Sequence, residues 1–190
     1  MKNIITVILF IITSIGFSQD LVNELNGFKL NQFREAPTSE FKKHLQKKTF
    51  DDGFKFELFL IKPDSTAYMV FEYANWDKNI IWSIQLYGDD QSLKPNFKSL
   101  EMGMTKENVI KAMGKPSNIK GVGEYGEVFE YDDTNYSVEI NQQNKLSSIK
   151  IKELYSDYYP VPKSEKILSF KNISGIFKSN NKKISEILSP

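Results

Sequence analysis

The chain contains no cysteine. That absence excludes disulfide staples, thiolate nucleophiles, metal sites built on sulfur and anchoring through a lipidated cysteine. It does not argue against export, because an oxidising compartment permits disulfides without requiring them. Histidine is nearly as scarce. His44 is the only one, and it stands among Lys42, Lys43, Lys47 and Lys48. One imidazole without a thiol leaves no Cys–His dyad and no histidine pair for zinc, so His44 reads as a solvated helix position. Arg34 is the only arginine. The other basic residues are lysines, which lack the planar fork that favours phosphate and base readout. An excess of charge is also missing, with 25 Lys+Arg against 24 Asp+Glu. No nucleic-acid partner is expected from that balance.

Long apolar runs are absent beyond the first residues. Lys2 is followed by a short apolar core (Ile4, Ile5, Val7, Ile8, Leu9, Phe10, Ile11, Ile12). Gly16-Phe17-Ser18 then places small residues just before a cut at Gln19. This is the charged start, short core and small-residue exit of a secretory signal peptide. The core falls short of the roughly 20 residues that a membrane span needs. Residues 1–18 are therefore expected to be removed. The mature protein is expected in the periplasm or outside the cell, with membrane association not indicated.

Alternation and turn signals are abundant in what remains. Thr105 is a good N-cap, Glu107 lies in the first helical turn, and Met104 and Val109 occupy the ends of a hydrophobic staple. Gly114 and Pro116 close that helix after about two turns. Three alternating segments follow at 127–131, 136–140 and 146–152. They place Phe129, Tyr131, Tyr136, Val138, Ile140, Ile149 and Ile151 on one face. The same order recurs earlier. Pro37-Thr38-Ser39 precedes a weaker helix through Phe41 and Leu45, and strands are predicted at 54–61, 67–73 and 80–87. The fold expected is α+β: a tandem repeat of a short helix plus a three-stranded antiparallel sheet, with the short helices on one face. The units are 19–92 and 93–155, followed by a Pro-containing linker and C-terminal tail over 156–190.

Chemistry is hard to find. Gly121-Val122-Gly123-Glu124-Tyr125-Gly126 matches G-x-G-x-x-G, but a dinucleotide site needs a strand before it and a helix after it. The Asp51-Asp52, Asp89-Asp90 and Asp132-Asp133 pairs all fall at predicted turns, where aspartate is favoured for backbone reasons. No catalytic residue, metal ligand or cofactor is expected. The one enzymatic alternative rests on Glu57 and Glu72, read as sharing a face. In the first unit that outer face also carries aromatic and aliphatic residues, and such a face is usually covered, by the chain itself or by a partner. Phe59, Tyr68, Ile81 and Tyr87, with Trp76 at the rim, are the expected partner-binding residues. Trp82 is expected on the core side with Ile84 and Leu86.

The run Gly103-Met104-Thr105-Lys106-Glu107-Asn108-Val109-Ile110-Lys111-Ala112-Met113-Gly114-Lys115-Pro116 resembles the G-M-T-x-x-x-V-x-x-x-x-G-x-P helix of the SmpA/OmlA (BamE-like) family. Phe129-Glu130-Tyr131 and the strand from Lys145 fit the order that follows it there, so the resemblance spans 97–153. A tandem pair of such units is similar to the β-lactamase inhibitor proteins. The resemblance implies a non-enzymatic protein–protein interaction module of the cell envelope, with an assembly accessory as its form. An inhibitor of a secreted hydrolase and a binder of a small apolar ligand or lipid are the alternatives.

Overall fold

A computed structural model describes residues 20–41, 45–49, 53–61, 67–74, 76–88 and 91–154. The readings of the signal peptide, the C-terminal tail, His44 and the first two aspartate pairs lie outside the described residues.

The chain opens with a small hairpin, β1 (Glu24–Leu25) and β2 (Phe28–Lys29). Asn26 and Gly27 between them both have positive φ, 51° and 85°, the conformation that a tight two-residue turn requires. Helix α1 (Glu35–Phe41) and four strands follow: β3 (Gln46–Thr49), β4 (Lys55–Leu60), β5 (Tyr68–Tyr73) and β6 (Ile81–Tyr87). Helix α2 (Lys106–Met113) precedes four more: β7 (Asn118–Gly121), β8 (Glu127–Glu130), β9 (Tyr136–Ile140) and β10 (Leu146–Lys152). All eight strands β3–β10 form a single sheet in the order β3-β4-β5-β6-β10-β9-β8-β7. Every neighbouring pair is antiparallel. Two sequential meanders meet at the β6–β10 pair, which puts the last strand in the middle of the sheet.

This corrects the expected fold class. The described protein is mostly sheet, each helix is followed by four strands rather than three, and the helix-plus-three-strand repeat does not stand. Within this eight-stranded sheet, the two strands not predicted are its edges, β3 and β7. Gln-Lys-Lys-Thr in β3 is almost wholly exposed and Asn-Ile-Lys-Gly in β7 is wholly exposed, so neither has an apolar alternation to read. Their lysines suit an edge, because charge there blocks pairing with another chain.

Helix α2 forms as its caps dictate. The Thr105 hydroxyl accepts from the Asn108 N–H at 3.4 Å, and Gly114 closes the helix at φ 85°. Val109 is fully buried, and Met104, Ile110 and Met113 pack on the same core. Helix α1 begins about one turn before its predicted start. Pro37 lies in its first turn, where its missing N–H costs nothing. Leu45 lies beyond the helix, and its N–H bonds the Leu58 carbonyl at 2.7 Å.

One face of the sheet carries the main core. Phe28, Phe41, Phe59 and Phe71 meet there at ring separations of 5.0–6.4 Å. Phe97, Leu100 and Met102 from the β6–α2 connection, together with Val109 of α2, join the same core. The opposite face carries a second cluster of Phe54, Phe56, Leu58, Tyr68, Val70, Ala74 and Trp82, all from β4–β6 and their ends.

The glycine-rich run is a turn. It follows strand β7 and leads through a 3₁₀ turn (Gly123–Tyr125) into strand β8, so a strand precedes it and no helix follows. Gly126 has φ 119°, and a side chain there would overlap the Ile140 carbonyl and come within 2.9 Å of Asn141 Cα. Gly123 has φ 67° with open space around it. Gly126→Ala is therefore expected to cost about 1–3 kcal/mol or more, and Gly123→Ala only about 1 kcal/mol. Urea unfolding of the two variants checks this, and equal losses would refute the steric account.

Candidate functional site

The structure does not bring the five predicted contact residues together. Phe59 and Ile81 are 1% and 0% exposed and belong to the main core on the helix-covered face. Tyr68 and Tyr87 are direct cross-strand partners on the opposite face. Trp76, 37% exposed, lies in the β5–β6 connection with its ring edge-on to Trp82 at 4.8 Å and to Phe54 at 5.9 Å. The physical reason is parity. A register shift between Glu72 and Tyr73 pairs Tyr73 with Ile81 and leaves Trp82 as the extra residue. Such a bulge exchanges the faces of the residues before it. Trp82 therefore joins the second cluster rather than the core of Ile84 and Leu86, and Ile81 takes the core side. In β4 both faces are apolar, so alternation gave no contrast to fix which side Phe59 takes.

The same geometry separates the two glutamates of the enzymatic alternative. Glu57 pairs with Phe71, and Glu72 pairs with Phe56 and Ser83, so the carboxyls point to opposite faces. Glu57 is saturated. It accepts from Arg34 Nε at 3.1 Å and from the second Arg34 nitrogen, and from the Tyr73 hydroxyl at 3.0 Å. The guanidinium also lies 5.4 Å above the Tyr73 ring. Burial, then the Glu57 charge, pushes the Tyr73 phenol well above its ordinary range. This triad ties the segment before α1 to β4 and β5, and it uses the chain's one arginine.

On the opposite face, the middle of the sheet carries a seam of buried polar groups. Ser83 and Gln85 come from β6, Ser148 and Lys150 from β10, Glu139 from β9 and Glu72 from β5. Register makes them neighbours, because Gln85 opposes Lys150, Glu139 opposes Ser148, and Glu72 opposes Ser83. The Ser83 hydroxyl donates to Glu72, which also pairs with Lys150 Nζ at 2.9 Å. Gln85 Nε2 donates to Ser148 Oγ at 2.8 Å and to Glu139 Oε1 at 3.3 Å. Tyr87 flanks the seam on β6, directly opposite Ser148.

Glu139 is the exception in this network. It is 9% exposed, and its Oε2 has no hydrogen-bond partner. Burial pushes its carboxyl up to about 8, against the Lys150 charge and the hydrogen bonds of Ser148 and Gln85. At neutral pH the group is an uncharged acid with a hydroxyl to donate and no acceptor in place. Buried polar groups are normally paired, and among the described residues Glu139 Oε2 and the Tyr131 hydroxyl are the exceptions. In the sequence, Glu139, Ser148 and Lys150 read as an ordinary charged outer face. The only signal was Gln85 and Ser83 interrupting an otherwise apolar strand.

Asp132 and Asp133 lie in the β8–β9 turn, where Asp133 takes φ 57°. Among the described residues, no group of three or more His, Asp or Glu could hold a metal ion, and no helix is long and apolar enough to cross a membrane.

No family model matches the chain, and no curated protein matches it. Among solved structures it is similar in part to a cysteine-rich secretory protein from Staphylococcus aureus subsp. aureus Mu50, at 16% identity and a TM-score of 0.44. It is also similar in part to an extracellular protein containing a SCP domain from Bacillus anthracis str. Ames, at 8% identity and a TM-score of 0.45. Each match covers 65% of this chain and 44% of the other, so the chain spans under half the length of those proteins. Neither is an SmpA/OmlA protein. With no family model matching either, the SmpA/OmlA resemblance and the likeness to tandem inhibitor proteins are withdrawn. The motif at 103–116 encodes a cap, a staple and a glycine stop, which any short helix between two turns can use.

Proposed function

We propose that the protein is a non-enzymatic protein-binding module that acts after export from the cytoplasm, and that the polar seam with Tyr68 and Tyr87 is its contact surface. The observation that carries this reading is the Glu139 carboxyl, buried beside Gln85 and Ser148 with one oxygen unpartnered. A backbone amide or carbonyl of a second polypeptide fits that vacancy in hydrogen bonding. Tyrosines beside it supply the amphipathic area that protein contacts favour. Catalysis is less well served, because the other seam carboxyl, Glu72, is held by Lys150 and Ser83. The signal-like leader supports export.

The test is a crosslinked pull-down from envelope extract and culture medium with the mature protein, Tyr87→Glu and Ile119→Glu. Ile119 is 47% exposed on the edge strand β7, and its side chain lies on the opposite sheet face. A partner lost with Tyr87→Glu and kept with Ile119→Glu is the expected result, with circular dichroism confirming that both variants are folded. Identical recoveries from all three proteins would overturn the reading.

A further inference from the structure

The first described residues are held as a ligand would be. One side chain takes both backbone groups of Val22. The Val22 N–H donates to Asn135 Oδ1 at 2.8 Å, and Asn135 Nδ2 donates to the Val22 carbonyl at 2.7 Å. Nδ2 also donates to the Lys152 carbonyl at 3.0 Å, which fixes the amide against the end of β10. Asn135 is 5% exposed. It gives Val22 the pairing that a neighbouring strand would give, from 113 positions away in sequence. Two residues earlier, Asp20 bridges Thr134 in parallel. Its Oδ2 accepts from the Tyr136 hydroxyl at 2.9 Å and from Lys98 Nζ. Leu21 between them is 48% exposed. The segment thus runs along the surface with alternate residues turned to the protein.

Lys98 reaches Asp20 from a strained turn. Lys98 has φ 44° and Ser99 has φ 59°, and the Leu100 N–H closes the turn on the Phe97 carbonyl at 2.8 Å. Glycine takes such angles freely, and neither residue is glycine. Other residues keep them only where the surroundings over-determine the conformation. The Lys98 ammonium is held twice over, by Asp20 and by the Tyr136 ring, whose centroid is 4.9 Å away.

The expected cut before Gln19 leaves one residue ahead of Asp20. We propose that Asp20, Leu21 and Val22 form a latch closed on the β8–β9 turn, and that the latch makes Asp20 the stop point for exopeptidase trimming of the exported chain. An aminopeptidase must draw the terminal residues, extended and free, into its own cleft. Here the backbone is engaged at both ends of the segment, by Thr134 at Asp20 and by Asn135 at Val22. Trimming past Asp20 requires the latch to open first, and its rate then follows the open population. The inference rests on removal of the leader and is independent of the contact surface proposed above.

The test uses the full mature chain, 19–190, preceded by a Gly-Ser-Ala extension. Every protein carries Gln19→Ser, because an N-terminal glutamine can cyclise and block the enzyme. The aminopeptidase is one chosen for passing Asp20 in a synthetic peptide of residues 19–30, and intact mass is followed with time. The extension and residue 19 are expected to be lost quickly. The parent chain should then halt with Asp20 first, at least about tenfold slower past that point than the peptide. Lys98→Met/Tyr136→Phe removes the side-chain bonds to Asp20, and Asn135→Ala removes those to Val22. Each is expected to raise the rate past Asp20 by about tenfold or more. Circular dichroism checks the fold, and a misfolded Asn135→Ala leaves the double variant to decide. Lys106→Met breaks a separate ion pair, with Glu127, and is expected to leave the rate unchanged. Trimming of the parent chain past Asp20 at the peptide's rate would overturn the proposal. So would folded latch variants that halt where the parent halts, or a Lys106→Met chain that is trimmed as fast as they are.

Discussion

Arg34→Ala is expected to lower the free energy of unfolding by about 3–5 kcal/mol. Glu57 is 2% exposed and accepts two hydrogen bonds from Arg34 as well as one from the Tyr73 hydroxyl. Removing the guanidinium takes the charged fork away from a buried carboxylate. The loss is one of pairing rather than of an attractive contact, and this has a consequence. A buried ion pair replaced as a unit by apolar residues of similar volume is often neutral. Arg34→Met/Glu57→Leu/Tyr73→Phe is therefore expected to recover most of what Arg34→Ala loses. Leaving Tyr73 in place should retain a deficit of about 1–3 kcal/mol for its orphaned hydroxyl. Arg34→Lys should fall between, since an ammonium cannot make the forked contact. Urea unfolding of the four variants measures these differences. The account fails if Arg34→Ala stays within about 1 kcal/mol of wild type, or if the triple variant is no better than the single one.

That triad shows where sequence reading reached and where it stopped. Helix α2 was legible because its cap, staple and stop are local: each acts within a few residues of chain. The three strands of the second half were legible because one face is apolar and the other is not. Phe129, Val138, Ile140, Ile149 and Ile151 are indeed all buried in one core. The first half fails both conditions. β4 is apolar on both faces, so alternation carries no information about direction there and Phe59 was placed on the wrong side, while Ile81 was misplaced by the bulge in its pairing with β5. The bulge at Tyr73 is a property of pairing with β6 and leaves no mark in either strand alone. Edge strands β3 and β7 escape because their job is to be polar. The β6–β10 pairing that joins the halves assembles the seam from residues up to 78 positions apart in sequence, from Glu72 to Lys150. No spacing rule could have collected them. Arg34 was noticed only as evidence against phosphate binding, and its partner Glu57 was read as solvent-facing.

Wild-type stability is expected to fall as pH rises from about 5 to about 8.5, and Glu139→Gln to remove that part of the fall. The sign follows from linkage. The Glu139 carboxyl has an ordinary value of 4.5, which the unfolded chain keeps, and in the folded protein burial raises it to about 8. Between those values the folded state holds a proton that the unfolded state has released, so raising the pH favours unfolding. The contribution is fully present below the unfolded value and is lost as pH climbs through the folded one. Its size is a few kcal/mol, with about 5 kcal/mol as a ceiling for a shift of this extent. Asp20, held low by Lys98 and Tyr136, acts in the opposite sense, and only in the acid range below this window. Lys150 faces the group and Glu72 neutralises part of that charge, but both are common to wild type and variant. The difference curve therefore isolates Glu139. Glu139→Gln keeps the shape and the hydrogen bond from Gln85, so it should match wild type near pH 5 and exceed it near pH 8.5. Two parallel curves, offset by a constant amount across pH 5–9, would sink the assignment. A converging pair would mean that at neutral pH the seam offers an uncharged donor, and that a polypeptide carbonyl placed on it loses that bond as the acid ionises.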